Sequence, residues 1–523
     1  MPESNPLWPL LMRPGLARPA VADEILTVRD WLRGKVPDSV AELLTQEAMA
    51  AASEQVAAEP EPQSAGFTLT ADQQAAVDGI LQDIRKERAC PVLCGYAGTG
   101  KTVTTAALVS ELIEREWRTV VATPTHKARS QVERALRNCG ARGFEAVTVH
   151  RLLGLKQVRD KNTGKETFAP DPGGKNMLSE TRKYDEKTCQ YVDLAPIDVV
   201  IVDETSMLSS ELYDLLLKEL NGRPVVFVGD DRQLLPVGED QVCRAFTEGT
   251  SIYRLTEVLR HDGAILNLAT ATRQLAVGRA RFAAAQGGGS TVVGHRSREQ
   301  WGEALLELAA SDEAMADADF CRALAWTNKA VEEMNLRIHQ RRYGVNAPQF
   351  VEGMTCVTVD AIPSPMGGGP LLNSTMDVLI EQAKRERHSF DTDSPDEEPW
   401  DTWELTVSVP SDALPPVTFR VIAQDSERRW RESLKAIADE AKAASGRERS
   451  ALWGVYFQRK DSVGQLQPAS ALTVHKSQGS TFRHVFLHWS IDGWGSAPTA
   501  QQNQLAYVGI TRAAESLHVV ADR

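Results

Sequence analysis

The chain has 523 residues, with 58 lysines and arginines against 71 aspartates and glutamates, which gives a formal net charge of −13. This length suggests roughly three or four domains, and 42% hydrophobic with 25% charged residues excludes a fibrous or wholly disordered protein. No apolar run approaches the ~20 residues that span a bilayer and no secretory signal opens the sequence, so we expect a soluble cytoplasmic protein without membrane contact.

The predicted elements fall into two sets of strands that alternate with helices. Residues 1–66 precede them as a proline- and alanine-rich extension without assigned chemistry. From residue 67 the apolar runs PVLCG, RTVVATP, DVVIVDE and PVVFVGD have strand length, and CRALAWT, HVFLHW and SLHVVA form a second set. Such alternation predicts two α/β domains, each with a mostly parallel sheet and with ligands at the carboxyl ends of its strands.

Two segments interrupt this alternation and divide the chain. Residues 155–192 are polar and predict a β-hairpin that turns at Asn162, Thr163 and Gly164. Residues 349–464 contain alternating strand patterns and one helical stretch, which predicts a small β-rich insertion. We expect four tryptophans in its core: Trp400, Trp403, Trp430 and Trp453. The first α/β domain is expected over 67–250, and the second over 251–348 and 465–523.

The strongest motif is GYAGTGKT, a glycine-rich loop between a predicted strand and a predicted helix. Its glycines let backbone N–H groups turn inward to hold phosphates, with help from the helix N-terminus. Lys101 would neutralise the β- and γ-phosphates, and the Thr102 hydroxyl would bind Mg²⁺. The loop residues expected to hold ATP are Gly95, Gly98, Thr99, Gly100, Lys101 and Thr102.

Acidic and amide side chains follow the next two buried strands. Asp203 could bind Mg²⁺ through water, and Glu204 could take a proton from the attacking water. Gln233, in GDDRQLLP, could contact both the γ-phosphate and that water. This set favours hydrolysis of a nucleotide over its storage.

Ten motifs occur in one order: LTADQQ, GYAGTGKT, ATPTHKA, TVHRLLG, VDETSM, GDDRQLLPV, LTEVLR, WTNKAVEEMN, LTVHKSQGSTF and LAYVGITRA. From about residue 67 to its end, the chain resembles superfamily 1B DNA helicases of the RecD-like and Dda-like branch, and most of all the Dda-type phage helicases. The resemblance implies two RecA-like P-loop domains. It also implies a β-hairpin insertion in the first domain and an SH3-like insertion in the second, although residues 349–464 match the latter weakly.

The resemblance also adds functional residues. Gln73 matches the glutamine that reads the adenine edge, Gly479 joins the nucleotide site, and Arg260 and Arg512 match arginines that reach the γ-phosphate. Hydroxyls, imidazoles and backbone N–H groups suit contacts to phosphate and sugar. The candidate strand contacts are Pro124, Thr125, His126, His150, Arg151, Thr327, Asn328, Lys329, His475 and Lys476.

The hairpin occupies the position of the family's duplex-separating hairpin. Its tip residues Lys161, Asn162 and Thr163 are polar, so the sequence does not support an aromatic wedge at the tip. Phe168 could serve in that role, but we expect it to pack in a core.

The resulting hypothesis is a monomeric, ATP- and Mg²⁺-dependent 5′→3′ helicase acting on single-stranded and forked DNA in the bacterial cytoplasm, encoded by the cell or by a phage. The direction comes from the resemblance alone. A single-strand-binding protein, or a replication or recombination protein, is a conceivable partner. Two alternatives stay open: an RNA-directed motor, because phosphate and stacking contacts scarcely separate DNA from RNA, and a nucleotide-gated remodelling module that docks on proteins.

Overall fold

The structure is a computed structural model of the chain. The described residues are 69–160, 163–164, 166–170, 176–179, 182–185, 190–193, 196–235, 239, 241–257, 263–275, 278–364, 370–390, 398–410, 415–492 and 499–521. They belong to one compact unit that begins at Phe67. The extension 1–66, hairpin residues Lys161 and Asn162, and Arg260 lie outside the described residues.

A six-stranded parallel sheet organises residues 69–257, which we call the first lobe. Its strand order is β10-β1-β9-β8-β2-β3. The strands of the lobe are β1 (Pro91–Gly95), β2 (Thr119–Thr123), β3 (Glu145–Thr148), β4 (Leu155–Arg159), β5 (Glu166–Pro170), β6 (Arg182–Asp185), β7 (Gln190–Asp193), β8 (Val199–Val202), β9 (Val225–Gly229) and β10 (Ser251–Leu255). Its helices are α1 (Ala71–Asp83), α2 (Lys101–Glu114), α3 (His126–Asn138), α4 (Val149–Leu152), α5 (Ser210–Leu220) and α6 (Ala245–Glu248), with a 3₁₀ turn at Thr205–Met207.

The central strands of this sheet are buried on both faces because helices cover each side. Ile201 packs into the core on one face, whereas its neighbours Val200 and Val202 pack into the core on the other. This alternation, in strands that are apolar at every position, is typical of a parallel sheet between two helical layers. The four apolar runs predicted as strands in this lobe are therefore confirmed as β1, β2, β8 and β9.

Two antiparallel strand pairs are inserted between α4 and β8. In the first pair Leu155 of β4 is opposite Pro170 of β5, and Arg159 is opposite Glu166. In the second pair β6 is antiparallel to β7. We call the β4–β5 pair the hairpin.

A second six-stranded sheet, in the order β11-β12-β23-β22-β13-β21, organises the second lobe; it is parallel except where β11 meets β12. The first part of this lobe contains α7 (Ala264–Arg273), β11 (Ala285–Gly287), β12 (Ser290–His295), α8 (Arg298–Ala309), α9 (Asp312–Ala316), β13 (Cys321–Ala325) and α10 (Asn328–Tyr343).

The insertion that follows is a five-stranded antiparallel sheet, ordered β19-β18-β17-β14-β20, with a pair of helices. It contains β14 (Thr355–Thr358), β15 (Ile362–Pro363), β16 (Pro370–Leu372), β17 (Asp377–His388), β18 (Trp400–Ser408), β19 (Val417–Ile422), α11 (Gln424–Ala443), α12 (Gly446–Asp461) and β20 (Leu466–Pro468). All four expected tryptophans are buried, but in three separate clusters: Trp403 in the sheet core, Trp400 with Trp430, and Trp453 between the helices.

The chain then returns to the second lobe. This last part contains β21 (Ala471–Thr473), 3₁₀ turns at His475–Ser477 and Trp489–Asp492, β22 (Phe482–Leu487), α13 (Thr499–Ile510) and β23 (Ala513–Val520). The predicted strands of the second set correspond to β13, β22 and β23. Within the described residues, no helix is both long and apolar enough to cross a bilayer.

Two predicted boundaries are wrong by a few residues. The first domain was expected to end at residue 250, yet β10 pairs along its whole length with β1 and so belongs to the first sheet. The insertion was expected to end at residue 464, yet β20 pairs with β14 of the insertion sheet. Both short strands are recognisable only from their partners, which the local pattern does not reveal.

Candidate nucleotide site and strand-binding edge

The phosphate loop joins the carboxyl end of β1 to the first turn of α2. Gly98 and Gly100 have φ values of 85° and 78°, a left-handed conformation that side chains with a Cβ rarely adopt. At Gly95 a Cβ would lie 2.5 Å from Thr99 Oγ1, so the loop also requires glycine there for close packing. The predicted glycine-rich loop is thus in the expected strand–loop–helix context.

Lys101 and Gln73 both make hydrogen bonds to this loop. The Lys101 ammonium donates to the carbonyls of Gly95 at 2.8 Å and Tyr96 at 2.9 Å, so it lies inside the loop. The Gln73 side chain accepts from Thr70 N–H as part of the cap of α1, and its Nε2 donates to Thr99 O at 3.1 Å. The amide oxygen and one N–H of Gln73 are therefore already bonded. The second N–H of the amide is the group available to a nucleotide base.

Asp203 and Glu204 follow β8 at the same sheet edge as the loop. Asp203 N–H donates to Ala122 O of the adjacent strand, and Asp203 Oδ1 accepts from Glu204 N–H at 2.7 Å. Glu204 has a φ of 54°, a strained conformation for a residue with a side chain, which turns the chain into the 3₁₀ turn that follows. Such strain is often found where a side chain must be aimed at a reacting group.

These side chains fit a magnesium ion. Burial and the neighbouring Glu204 carboxylate raise the pKa of Asp203 to about 7, so a cation close by would favour the ionised carboxylate. The Thr102 hydroxyl is exposed in the first turn of α2, next to Lys101. Hydroxyl and carboxylate oxygens, completed by water, are the donors that Mg²⁺ prefers.

Gln233 lies in a turn after β9, between the loop and Glu204. Its backbone N–H donates to Asp230 O at 3.3 Å. Its side chain is buried, and among the described residues none donates to its Oε1. A buried amide oxygen without a donor is costly in a folded protein, and a water molecule is a donor that would satisfy it.

The second lobe meets the phosphate loop through α13. Tyr507 Oη accepts a hydrogen bond of 3.2 Å from Ala97 N–H, inside the loop. Arg512, five residues further on, is buried, and its guanidinium donates to Val508 O and Ser480 O at 3.1 Å each. Gly479 has a φ of 78° and lies against α3 of the first lobe, where a Cβ would be 2.4 Å from Gln131 Oε1.

The strand-contact candidates of the first lobe extend the same sheet edge beyond the nucleotide residues. Pro124, Thr125 and His126 follow β2, and His150 and Arg151 are in α4 after β3. Since all six strands are parallel, the nucleotide residues occupy the ends of β1, β9 and β8 while these candidates occupy the ends of β2 and β3. Burial lowers the pKa of both histidines, so they are neutral at pH 7.

The candidates of the second lobe occupy the matching edge of the second sheet. Thr327, Asn328 and Lys329 follow β13 and are exposed, and His475 and Lys476 follow the neighbouring β21. Burial lowers the pKa values of His475 and Lys476. The structure therefore gathers the predicted contacts into two groups, one on each lobe.

The two groups share one local design. Thr125 Oγ1 accepts from the N–H three residues later at 3.2 Å and caps α3, and Thr327 Oγ1 does the same for α10 at 3.3 Å. Both threonines stand in a T-x-K-A sequence, two residues after the end of a buried strand. A capped helix N-terminus with a nearby lysine is a favourable place for a phosphate.

The expectation that Phe168 packs in a core is wrong. Its side chain is 55% exposed on the hairpin, and its ring centroid lies 4.0 Å from that of His150. The strand pattern of this short segment could not separate a buried from an exposed face, because the hairpin packs against a distant part of the chain as well as against its own lobe.

The hairpin also contacts α12 of the insertion. Arg159 donates to Asp461 at 2.8 Å and lies over the ring of Phe457, 4.4 Å from its centroid. A Cβ on Gly164 would lie 2.3 Å from the ring of Trp453, so the turn packs directly on that side chain. The first lobe also reaches the insertion through the ion pair of Lys127 with Asp377, at 3.4 Å.

Sequence reasoning missed several residues at the boundary between the lobes. Tyr507 and Asp230 stand inside motifs that carried the resemblance, yet no role was assigned to them. Tyr96 and Arg273 contact each other across that boundary, and no motif marks Arg273.

A phosphate loop, a carboxylate pair and a buried glutamine at the meeting of two parallel sheets define a two-lobed P-loop ATPase. Protein-family profiles agree: an AAA domain matches residues 68–293, and a UvrD-like helicase C-terminal domain matches residues 468–520. The ATP-dependent DNA helicase Dda of Enterobacteria phage T4 is 25% identical over 464 residues, which is 85% of this chain and 97% of that protein.

Two further comparisons cover different shares of the chain. The RecBCD subunit RecD of Mycobacterium tuberculosis is 29% identical over 231 residues, 40% of this chain and 34% of its own length. The crystal structure of the Pif1 helicase from Candida albicans aligns with 87% of this chain and 95% of its own, at 16% identity and a TM-score of 0.42. The chain is thus similar along most of its length to an ATP-dependent DNA helicase of the Dda type, and over a shorter part to RecD subunits, the Dda- and RecD-like branch of superfamily 1B.

Proposed function

We propose that this helicase is a motor that moves 5′→3′ along single-stranded DNA and separates a forked duplex ahead of it. The observation that carries the proposal is the hydrogen bond from Ala97 N–H in the phosphate loop to Tyr507 of the second lobe. Because both lobes contact one nucleotide loop, filling or emptying that loop can change their spacing. A strand that lies along both groups of contact residues would then be held by each lobe in turn.

Hydrolysis in this proposal uses side chains of both lobes. Magnesium, held by Thr102 and Asp203, would supply positive charge at the β- and γ-phosphates. Lys101 neutralises the same phosphates, Glu204 takes the proton of the attacking water and Gln233 orients that water. Arg512, and Arg260 by resemblance, would stabilise the charge that spreads over the transferred phosphoryl group.

Gln73 and Gly479 complete the proposed nucleotide site. Gln73 would offer its remaining amide N–H to the adenine edge while its other contacts tie the base to the loop. Gly479, with a backbone that needs glycine, would let the second lobe approach α3 closely as the cleft closes. The enzyme is proposed to work as a monomer in the cytoplasm, beside single-strand-binding, replication or recombination proteins.

The insertion takes the part of the family's SH3-like accessory domain in this proposal. Support comes from its contacts with the hairpin, where Asp461 and Phe457 contact Arg159 of β4 and Trp453 contacts the turn. Because the hairpin is held by α12, an exposed aromatic ring on it can press against a base pair without the hairpin bending away. Phe168, whose ring centroid lies 4.0 Å from that of the strand-contact candidate His150, is such a ring.

The direct test is unwinding of forks with either a 5′ or a 3′ tail, with matched RNA strands as a further arm. Unwinding of 5′-tailed DNA forks alone, with ATP hydrolysis that single-stranded DNA stimulates, would support the proposal. Equal or stronger stimulation by RNA would favour the RNA-directed motor. Stimulation by a protein partner but by no oligonucleotide would favour the remodelling ATPase.

Replacing Phe168 with alanine should lower the unwinding rate about tenfold, because stacking of an aromatic ring on a base contributes ~1–3 kcal/mol. ATP hydrolysis stimulated by single-stranded DNA should stay within about twofold, since that contact is made only at the fork. Stopped-flow unwinding and steady-state ATPase assays measure the two quantities. Leu336→Ala, which removes an equally exposed apolar side chain from α10, is the control; a loss of unwinding common to both variants would contradict the assignment.

A further inference from the structure

A polar cluster of buried and half-buried side chains crosses the boundary between the lobes beside the phosphate loop. The first lobe contributes Tyr96 of the loop with Asp230 and Asp231, which follow β9. The second lobe contributes Arg273 at the end of α7 and Tyr507 of α13. None of the five side chains was assigned a role in the nucleotide site above.

Tyr507 links two parts of the first lobe through one hydroxyl. It donates to Asp230 Oδ2 at 2.6 Å and accepts from Ala97 N–H at 3.2 Å. Burial and the Asp230 carboxylate raise the pKa of Tyr507, so the hydroxyl keeps the proton that it donates. Ala97 directly follows Tyr96, whose carbonyl accepts from Lys101, and therefore the hydroxyl lies on the part of the loop that Lys101 contacts.

Arg273 links the same two parts through its guanidinium. The group lies over the ring of Tyr96, 3.5 Å from its centroid, and donates to Asp230 at 3.3 Å and Asp231 at 2.7 Å. Its side chain and that of Asp230 are 10% and 0% exposed. A planar guanidinium can stack on an aromatic ring and donate to carboxylates at the same time, whereas a lysine ammonium cannot.

The carboxylate that these two residues hold shapes the turn that presents Gln233. Asp230 Oδ1 accepts from Arg232 N–H at 3.1 Å, and Asp230 O accepts from Gln233 N–H at 3.3 Å. The loop, the turn and the second lobe are thus joined through a single buried carboxylate. Moving the second lobe away would remove the Tyr507 donor and the guanidinium from Asp230 together.

We propose that Tyr507 and Arg273 are positioning residues that fix the Gln233 turn against the phosphate loop only while the second lobe is docked. Hydrolysis is then coupled to the position of the lobes, because Gln233 orients the attacking water only in the docked arrangement. The inference rests on the proposed function, in which ATP is hydrolysed in this cleft. The inference adds Tyr507 and Arg273 to the residues that control hydrolysis, although neither side chain would touch the reacting atoms.

The variants Tyr507→Phe and Arg273→Lys test the idea, because each keeps the bulk of its side chain. With saturating single-stranded oligo(dT), each should lower kcat about tenfold, while KM for ATP stays within about threefold. The reason is that orienting the water matters in the transition state and little in ground-state binding. The double variant should be no slower than the slower single variant, since both changes release the same turn.

Tyr253→Phe is the matched control. Its hydroxyl also donates to a carboxylate, Asp83 Oδ2 at 2.7 Å, but both residues lie within the first lobe. This variant should keep the wild-type kcat, and its melting temperature shows what the loss of one tyrosine–aspartate bond does to stability.

Three outcomes would overturn the inference: wild-type kcat in both variants, a change confined to KM, or effects that multiply in the double variant. A melting temperature that falls further than in Tyr253→Phe, together with a loss of kcat that added osmolyte restores, would also overturn it in favour of a structural role. Failure of the proposed function is separate, since it would appear as wild-type protein whose ATP hydrolysis does not respond to oligo(dT).

Discussion

Replacing Lys101 with alanine is expected to lower DNA-stimulated ATP hydrolysis by ~10³-fold or more and to abolish unwinding, because single groups that stabilise developing charge contribute ~10²–10³ in kcat and this one also neutralises bound phosphate. The ammonium lies inside the loop, held by the carbonyls of Gly95 and Tyr96. Alanine leaves no other cation at that place in the loop. ATPase and fork-unwinding assays measure the loss.

The control for this variant is Lys86→Ala, which removes an exposed lysine of the same lobe that pairs only with Asp83 among its described acidic neighbours. It should keep wild-type hydrolysis. Circular dichroism and the melting temperature show whether Lys101→Ala is folded. Hydrolysis within tenfold of wild type in the folded variant would contradict the assignment of the loop.

The second large effect is expected from Glu204→Gln. A general base contributes ~10²–10⁴ in rate, and glutamine keeps the shape of the side chain while it cannot take the proton. The strained backbone at this position should tolerate the change, because both residues meet the same steric limits at a φ of 54°. We therefore expect kcat to fall by ~10²–10⁴-fold while the protein still binds ATP.

Metal binding should survive this change. The Glu204 charge is one of the two causes that raise the pKa of Asp203, and its removal leaves Asp203 more readily ionised at neutral pH. Single-turnover hydrolysis and titration with a fluorescent ATP analogue separate chemistry from binding. Glu211→Gln, an exposed change in the first turn of α5, is the control; a variant that loses ATP binding but keeps its single-turnover rate would refute the role of base.

The sequence was sufficient to predict the strands and loops that are determined by a few adjacent residues. Strands such as Val199–Val202 are apolar at every position, and a buried parallel strand needs nothing else to be recognised. The phosphate loop was equally clear, because Gly98 and Gly100 satisfy a backbone requirement that other residues meet poorly. Both features depend on a few adjacent residues.

What the sequence could not predict depends on contacts between distant segments. Arg273 is an ordinary helical arginine until α7 brings it over Tyr96. Phe168 resembles any inward-facing strand residue until the hairpin is seen to pack on α12. The pattern of β10 is that of a short strand in either sheet, and only its register with β1 assigns it to the first lobe.

The two threonine caps, on α3 of the first lobe and α10 of the second, define a distance between the lobes that can be measured. Each begins a helix that follows a strand of its own lobe's sheet, so the interval between them changes when one lobe moves relative to the other. If each cap binds one phosphate of the strand, the distance between the caps must shorten and lengthen by a whole number of nucleotide spacings in every cycle of ATP hydrolysis. The step length would then be set by the positions at which these two helices begin. A pair of spectroscopic labels beside Thr125 and Thr327 would measure the change in distance.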